Sequence, residues 1–324
     1  MKKLSQGLIK LVNLLNDLEY HDGTTLGEAL QITRSAVWKT IKKLENYGVQ
    51  LTSIKGKGYA LAEPLLLLDK RFINQHVSNK DLPIEIFETI DSTNSYLKNF
   101  YSSTKPRICL AEQQTKGRGR LQRDWHSPFG QNIYFSCLYP FQRDISELAG
   151  LSLVVSLAIV KALTMYQFPQ PVLVKWPNDV VYQNKKLAGC LLEIQAETND
   201  LCSVIIGIGL NVNMLENKDQ SITQPWISLR KILNNPLDRN PLCVVLINTL
   251  LSYLQQFAAK GLPSFIEEWQ QRDSLANKDI HLKHIQHKIG GRVTGINQHG
   301  HLVLKLPDGT VRTFSSGDTS VVKK

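Results

Sequence analysis

Along the first sixty residues the apolar positions change period. From Leu4 to Leu18 they fall at Leu8, Leu11, Val12 and Leu15, the spacing of a helix with one buried stripe. Thr25-x-x-Glu28 has the form of a capping box and predicts a short second helix ending near Leu30. Gln31-Ile32-Thr33 makes the turn, and Thr33 is placed to cap a third helix running to Tyr47, with Gly48 as its left-handed stop. Val49–Ile54 and Tyr59–Leu61 then read as two strands joined by Lys55-Gly56-Lys57-Gly58. Helix, helix-turn-helix and hairpin in that order form a winged helix-turn-helix, expected over residues 1–62.

Ala62-Glu63-Pro64 reads as a linker, because proline ends both helix and ladder. Strands are expected at Ile84–Thr89, Ile108–Gln113, Asn132–Leu138, Val172–Lys175, Leu187–Gln195 and Cys202–Val212. Helices are expected at Thr93–Tyr101, Ile145–Tyr166, Leu242–Ala259 and Pro263–Gln271. Several neighbouring strands are joined by turns too short for helical crossovers, which predicts a mixed, largely antiparallel sheet and an α+β domain over 63–278. From 279 to 324 short strands (Gly290–Asn297, Leu302–Leu306, Val311–Ser315, Ser320–Val322) alternate with turns, the pattern of a small barrel.

Charge and cysteine content narrow the partners. The chain has 324 residues, 42% apolar and 20% charged, with a formal net charge of +10, which favours anionic partners. In residues 1–60, nine Lys/Arg less five Asp/Glu leave +4, so the N-terminal unit is itself basic. Val37, Ile41 and Leu44 claim the buried side of the third helix, leaving Arg34, Ser35, Trp38, Lys39, Lys42 and Lys43 outward. A helix with polar and basic residues at its start suits a DNA major groove, and Lys55 and Lys57 suit flanking phosphates. The plainer alternative is a solvated face on a protein-interaction module, which an outward Trp38 fits less well. The five cysteines are scattered without a CxxC pair, so no metal site is expected and buried thiols in a reducing cytoplasm fit best. Leu148–Val160 is shorter than the ~20 residues a bilayer span needs, and Lys10, Asn13 and Asn16 interrupt any leader behind Met1-Lys2-Lys3; no membrane association is expected.

Four segments carry candidate chemistry. Gln114-Thr115-Lys116-Gly117-Arg118-Gly119-Arg120 follows a strand and alternates glycine with arginine, offering backbone N–H groups and guanidinium forks to an anion. It is not a Walker A loop, and a flexible basic loop is the alternative. In Lys175-Trp176-Pro177-Asn178-Asp179 a lysine ends an apolar strand, either aimed at a cleft or merely on the surface. Asp91-Ser92-Thr93-Asn94 is a helix start whose free N–H groups can hold a polar ligand, or simply a good cap. Gly207-Ile208-Gly209-Leu210-Asn211-Val212-Asn213 places glycines in a buried strand, for close approach or for a bulge.

In this order, with IDSTNSYL from Ile90, EQQTKGRGR from Glu112, DWHSPFGQNIYFS from Asp124, VKWPNDV from Val174, KLAGCLLE from Lys186 and GIGLNVN from Gly207, the chain resembles the biotin–protein ligase family. The resemblance spans nearly the whole chain and is to the bacterial class that also represses the biotin operon. It implies a class II synthetase-like catalytic domain, an SH3-like C-terminal barrel, and two-step chemistry. Biotin's carboxylate attacks the α-phosphorus of ATP, and a lysine of the biotin carboxyl carrier protein of acetyl-CoA carboxylase then takes the acyl group.

The resemblance assigns Ser92, Thr93, Asn94 and Gln114, with Gly117, Arg118, Gly119, Arg120 and Lys175, to biotin. It assigns Arg118, Arg120, Arg123, Trp125, Asn178, Asn211 and Trp226 to ATP and adenylate, with Lys175, Arg118 and Arg120 catalytic. Mg2+ accompanies the triphosphate, and the adenylate-bound form is expected to dimerise and bind operator DNA. Where the family often continues the loop as Arg-Gly-Arg, this chain has Leu121-Gln122-Arg123, and faster escape of the adenylate is expected. Two alternatives are a biotin-sensing repressor with a decayed ligase centre, and a lipoate or octanoate transferase. Arg118, Arg120 and Lys175 in place argue against the first; the winged helix and the Gly-Arg-Gly-Arg loop argue against the second.

Overall fold

The computed structural model describes residues 1–196, 201–217, 222–284, 287–316 and 319–321. The chain opens with a two-residue strand, β1 (Lys2–Lys3), which the sequence pattern does not announce. Helices α1 (Gln6–Leu15), α2 (Gly23–Leu30) and α3 (Arg34–Asn46) and the hairpin β2 (Leu51–Ile54) and β3 (Gly58–Leu61) follow as a winged helix-turn-helix. Thr33 caps α3 as expected, and Gly48 takes φ +83°. The capping box at Thr25 is corrected. Asp22 starts α2, accepting from the N–H groups of Thr24 and Thr25, because an aspartate one turn earlier satisfies the same orphan donors.

The central unit comprises α4 (Lys70–His76), β4 (Ile84–Thr89), α5 (Thr93–Leu97), β5 (Arg107–Ala111), β6 (Ile133–Gln142), α6 (Leu151–Met165), β7 (Leu173–Lys175), β8 (Asp179–Tyr182), β9 (Lys185–Ala196), β10 (Leu201–Leu210), α7 (Leu229–Leu233), α8 (Arg239–Lys260) and α9 (Ile266–Arg272). Its sheet runs β1-β4-β5-β6-β10-β9-β8-β7, with β4 and β5 parallel and every other pair antiparallel. This is the expected mixed α+β sheet. The helix expected over Ile145–Tyr166 is broken into a 3₁₀ turn, Ile145–Leu148, and α6. Gly150 at the break has φ +80°, and a Cβ there would lie 2.5 Å from Leu262. The segments 145–165 and 239–260 are apolar and long enough for a bilayer, but α6 and α8 are largely buried against the sheet and each other.

The two faces of the sheet differ. One turns Ile133, Phe135, Cys137, Ile206, Ile208 and Leu210 onto α6 and α8 in the main core. The register places Ser136 opposite Gly207, and Gly209 opposite Gly189, so the other face is lined there by small side chains. That pattern leaves room for a ligand. At the edge of this layer Glu112 and Arg239, both fully buried, form a 2.7 Å ion pair, and Arg239 also donates to the carbonyls of Asn132 and Leu66. Removing either partner of such a pair costs about 3–5 kcal/mol.

A five-stranded antiparallel unit ends the chain: β11 (Asp279–His284), β12 (His287–Ile296), β13 (Leu302–Lys305), β14 (Val311–Phe314) and β15 (Thr319–Val321), ordered β14-β13-β12-β11-β15. Val322, which the sequence pattern places in the last strand, lies outside the described residues. The barrel core at Leu282, Val293, Leu302, Leu304 and Phe314 is continuous with the central core, and the winged-helix core likewise recruits Leu65, Leu67 and Phe129. The boundaries in sequence are therefore not gaps in packing.

Candidate functional site

Strand β4 delivers Ser92 to the start of α5, where its hydroxyl accepts from the Ser95 N–H. Thr93 donates through its N–H and hydroxyl to Oε1 of Gln114, at 2.9 and 3.1 Å. The Ser136 hydroxyl lies 2.7 Å from Thr93 Oγ1 and 2.6 Å from Asn94 Oδ1. Asn94 in turn donates to Glu193 at 2.8 Å, and all three of Ser92, Thr93 and Asn94 are buried. A Cβ on Gly207 would lie 2.4 Å from Asn94 Oδ1. The glycine thus admits the Asn94 amide, and the unbroken register of β10 removes the bulge explanation.

The glycine–arginine loop folds against this base. Gly117 accepts from the Trp125 N–H at 2.9 Å, Gly119 donates to the Arg123 carbonyl at 2.7 Å, and a Cβ on Gly117 would lie 2.6 Å from the Trp125 carbonyl. The two arginines then part. Arg118 is exposed and reaches Ser95 at 3.2 Å and Glu193 at 3.3 Å, where Lys98 also pairs at 2.7 Å. Arg120 is half-buried; it donates to Asn178 Oδ1 at 3.3 Å and to the Ser316 carbonyl of the C-terminal unit. Desolvation pulls its pKa below the usual arginine value, with Asp179 acting in the opposite sense. Exposed Arg123 follows Leu121 and Gln122, both at positive φ (+54° and +59°).

Lys175 ends β7, as the sequence pattern places it, and is half-buried. Burial lowers its pKa, Asp179 raises it, and Lys186 and Lys278 lower it further. Among the described residues no acid pairs with its ammonium. Asn178 is buried and braces the adjacent strand, donating to the Cys190 carbonyl at 2.6 Å while it orients Arg120. Arg120 and Lys175 thus both lie within the field of Asp179.

Trp125 packs over β10: a Cβ on Gly209 would lie 2.2 Å from its indole, and its buried Nε1 has no hydrogen-bond partner among the described residues. Lys186 lies 5.2 Å above the same ring. Asn211 is buried and its amide donates to the carbonyls of Lys186 and Ile227, so it braces the segment carrying Trp226. Half-buried Trp226 bridges to Lys186, with Lys231 stacked 3.8 Å over its ring. Of the polar stretch from Leu215 to Trp226, residues 218–221 lie outside the described residues. Sequence reasoning missed Ser136, Lys186 and Glu193 as site residues. Their signal was available in strand alternation, which puts Ser136 and Glu193 on the glycine-lined face.

On the winged helix, Arg34, Ser35, Trp38, Lys39 and Lys42 are exposed on α3, and Lys55 and Lys57 are exposed in the hairpin turn. Trp38 is 50% exposed on this face. Lys42 pairs with Glu45 at 2.7 Å. Lys43 is corrected: its ammonium turns away from the outer face and pairs with Glu88 of β4, a carboxylate with no exposure, because a buried charge captures the nearest cation. Among the described residues no three His, Cys, Asp or Glu gather as a metal cluster, and all five cysteines are free and buried.

Three family descriptions match the chain: "Biotin/lipoate A/B protein ligase family" over residues 86–211, "HTH domain" over 8–60, and "Biotin protein ligase C terminal domain" over 280–322. The chain is 36% identical over 314 residues to the bifunctional ligase/repressor BirA of Escherichia coli (strain K12), covering 97% of this chain and 96% of that protein. To the protein of the same name from Bacillus subtilis (strain 168) it is 26% identical over 325 residues, covering 97% of each. The solved biotin protein ligase from Aquifex aeolicus in complex with biotin and ATP superposes with a TM-score of 0.65 at 29% identity, over 75% of this chain and 99% of that one.

Proposed function

Because this chain belongs to the biotin–protein ligase family, in the class that joins ligase and repressor in one polypeptide, we propose that the cleft between the Gly117–Arg120 loop and Lys175 is where biotin meets ATP. The chain is an ATP-dependent biotin–protein ligase and a transcriptional repressor. It forms biotinyl-5′-adenylate and pyrophosphate, then passes biotin to a lysine of the carrier protein, releasing AMP.

The residues divide the work by charge. Ser92, Thr93, Asn94 and Gln114 form a polar floor for biotin's ring, with Asn94 held by Ser136 and Glu193. Two anions must approach before the carboxylate oxygen can attack phosphorus. Lys175 lies between them as a fixed cation, and Arg118, Arg120 and the loop N–H groups offset charge gathering on the phosphoryl oxygens. Trp125 offers a ring face to the nucleotide, and Asn211 holds the Trp226 segment beside it. Asn178 keeps Arg120 aimed, and Arg123 adds charge at the rim. The observation that carries this reading is a half-buried Lys175 with no acidic partner among the described residues, sharing the field of Asp179 with Arg120.

Mg2+ is assigned to the nucleotide. Without a cluster of three ligating side chains among the described residues, it fits as an ion carried by triphosphate oxygens and water. We divide the chain into a DNA-binding unit (1–62), a catalytic unit (63–278) and a C-terminal barrel (279–324), in a cytoplasmic protein whose free thiols stay reduced.

For repression, Arg34, Ser35, Trp38, Lys39 and Lys42 read the operator and Lys55 and Lys57 contact its backbone. Dimerisation fits the outer edge of β9. Its first half pairs with β8, but from Leu191 onward it leaves an open ladder edge, with Ile194 40% exposed. The test is calorimetric biotin binding followed by ATP-dependent transfer to a carrier domain, repeated with Lys175→Ala. Transfer that survives that substitution rejects the assignment. Sedimentation with and without biotin plus ATP tests the dimer; an unchanged mass rejects it.

A further inference from the structure

The two ends of the Asn94 amide meet partners that make opposite demands. Its Nδ2 lies 2.8 Å from Glu193 Oε2, and its Oδ1 lies 2.6 Å from the Ser136 hydroxyl. An ionised carboxylate only accepts, so the NH2 end of the amide is bound to face Glu193 and the carbonyl end Ser136. Burial penalises the Glu193 charge, but hydrogen bonds from Lys98 and Asn94 and the charge of Arg118 prevail and lower its pKa. The Ser136 proton is thereby drawn to Asn94, and Ser136 Oγ turns its lone pairs to Thr93 Oγ1, 2.7 Å away. The Thr93 hydroxyl then has two acceptors in reach, Ser136 Oγ and, at 3.1 Å, Gln114 Oε1. With either one its proton is spent inside the protein.

We propose that Glu193 is a positioning residue for biotin: it sets the direction of the Asn94–Ser136–Thr93 hydrogen bonds, so that Thr93 Oγ1 meets the ligand as an acceptor. This rests on the assignment of Thr93 and Asn94 to biotin made above. Without the carboxylate, a half-turn of the Asn94 amide brings its NH2 to Ser136, whose proton then goes to Thr93 Oγ1 and occupies the lone pair meant for the ligand. An acceptor there suits an N–H of biotin's cyclic urea, whereas a dithiolane ring or an alkyl chain has no N–H to offer it. The cations around Glu193 fit this role. Lys98 covers Oε1 at 2.7 Å, while Arg118 lies farther off at 3.3 Å, so the carboxylate stays paired when Arg118 is drawn to a substrate anion.

The test is adenylate formation by pyrophosphate exchange, with biotin and ATP varied separately, in full-length Glu193→Leu, Ser136→Ala, the double variant and Thr93→Val. Glu193→Leu raises the KM for biotin about tenfold and leaves kcat and the KM for ATP within about threefold of the parent. Ser136→Ala cuts the same chain at its middle and raises the KM for biotin to a similar extent. Because both act through one set of bonds, the double variant is no worse than about the weaker single variant. A Glu193→Leu enzyme with unchanged KM for biotin, equal losses on biotin and ATP, or a double variant whose loss is the product of the two overturns the proposal. Should Glu193→Leu not fold, Ser136→Ala decides alone, and an unchanged KM for biotin rejects the idea. Thr93→Val separates the two levels: if it binds biotin like the parent, the assignment of Thr93 itself is what falls.

Discussion

The hydroxyl of Tyr47, the residue that closes α3, donates a 2.5 Å hydrogen bond to Glu88 in β4. The same ring stacks on Phe129 with centroids 4.5 Å apart. The helix that faces DNA is therefore fastened at its far end to the strand that leads into Ser92, Thr93 and Asn94.

Tyr47→Phe keeps the stacking and removes that bond from a carboxylate whose Oε2 already lacks a partner among the described residues. A hydrogen bond to a charged acceptor is worth about 2 kcal/mol. The expected outcome is a lower urea midpoint, with faster amide exchange in both α3 and β4. An unchanged midpoint would show the bond to be dispensable.

Lys175→Met is expected to abolish adenylate formation while stabilising the fold at neutral pH. Burial lowers the folded pKa of Lys175 below its ordinary 10.5, so between the two values the unfolded chain binds more protons and stability rises with pH. The charged lysine is thus a cost at pH 7 that fades as pH climbs toward 10.5. Denaturation of parent and variant at neutral and alkaline pH checks this: the advantage of the variant must shrink as pH rises.

Gly209→Ala forces the Trp125 indole away from β10, whereas Gly207→Ala presses on the Asn94 amide. The first should weaken nucleotide binding about tenfold and spare biotin, and the second the reverse, each losing about 1.4 kcal/mol. Calorimetry with each ligand separates them; equal losses on both ligands in both variants would contradict the division of the cleft.

Operator binding by Lys39→Ala is expected to lose about one unit from the slope of log affinity against log salt, the signature of one phosphate contact. Lys43→Ala should leave that slope alone, because its charge is spent on Glu88. Matching slopes for the two variants would restore Lys43 to the DNA face.

Gln122→Gly relieves a left-handed backbone position that costs a non-glycine residue about 1 kcal/mol. The loop should close more readily, and adenylate should leave more slowly. Rapid-quench or dialysis measurement of release tests it, with equal or faster release as the adverse result.

Local patterns carried much of the architecture. The stripe at Val37, Ile41 and Leu44, the cap at Thr33, the boundaries of β4 and the glycines of β10 all act within a few residues. Backbone geometry and side-chain period determine them before any distant contact forms. The same holds for the identity of the chemistry, because Gly117–Arg120 and Lys175–Asp179 are contiguous runs whose order could be read directly.

Only the fold decided which charges stay free. Lys43 and Lys39 look alike on a helical wheel, yet burial of Glu88 in another unit claims one of them. Arg118 and Arg120 are two residues apart, and strand geometry sends one to Glu193 and the other to Asn178 and Ser316. Lys175 is the ladder neighbour of Asp179, yet the carboxylate pairs with Lys186 through the gap at Gly189. A charge is committed by whichever opposite charge is brought close and out of water, and that closeness is a property of packing between segments far apart in the chain.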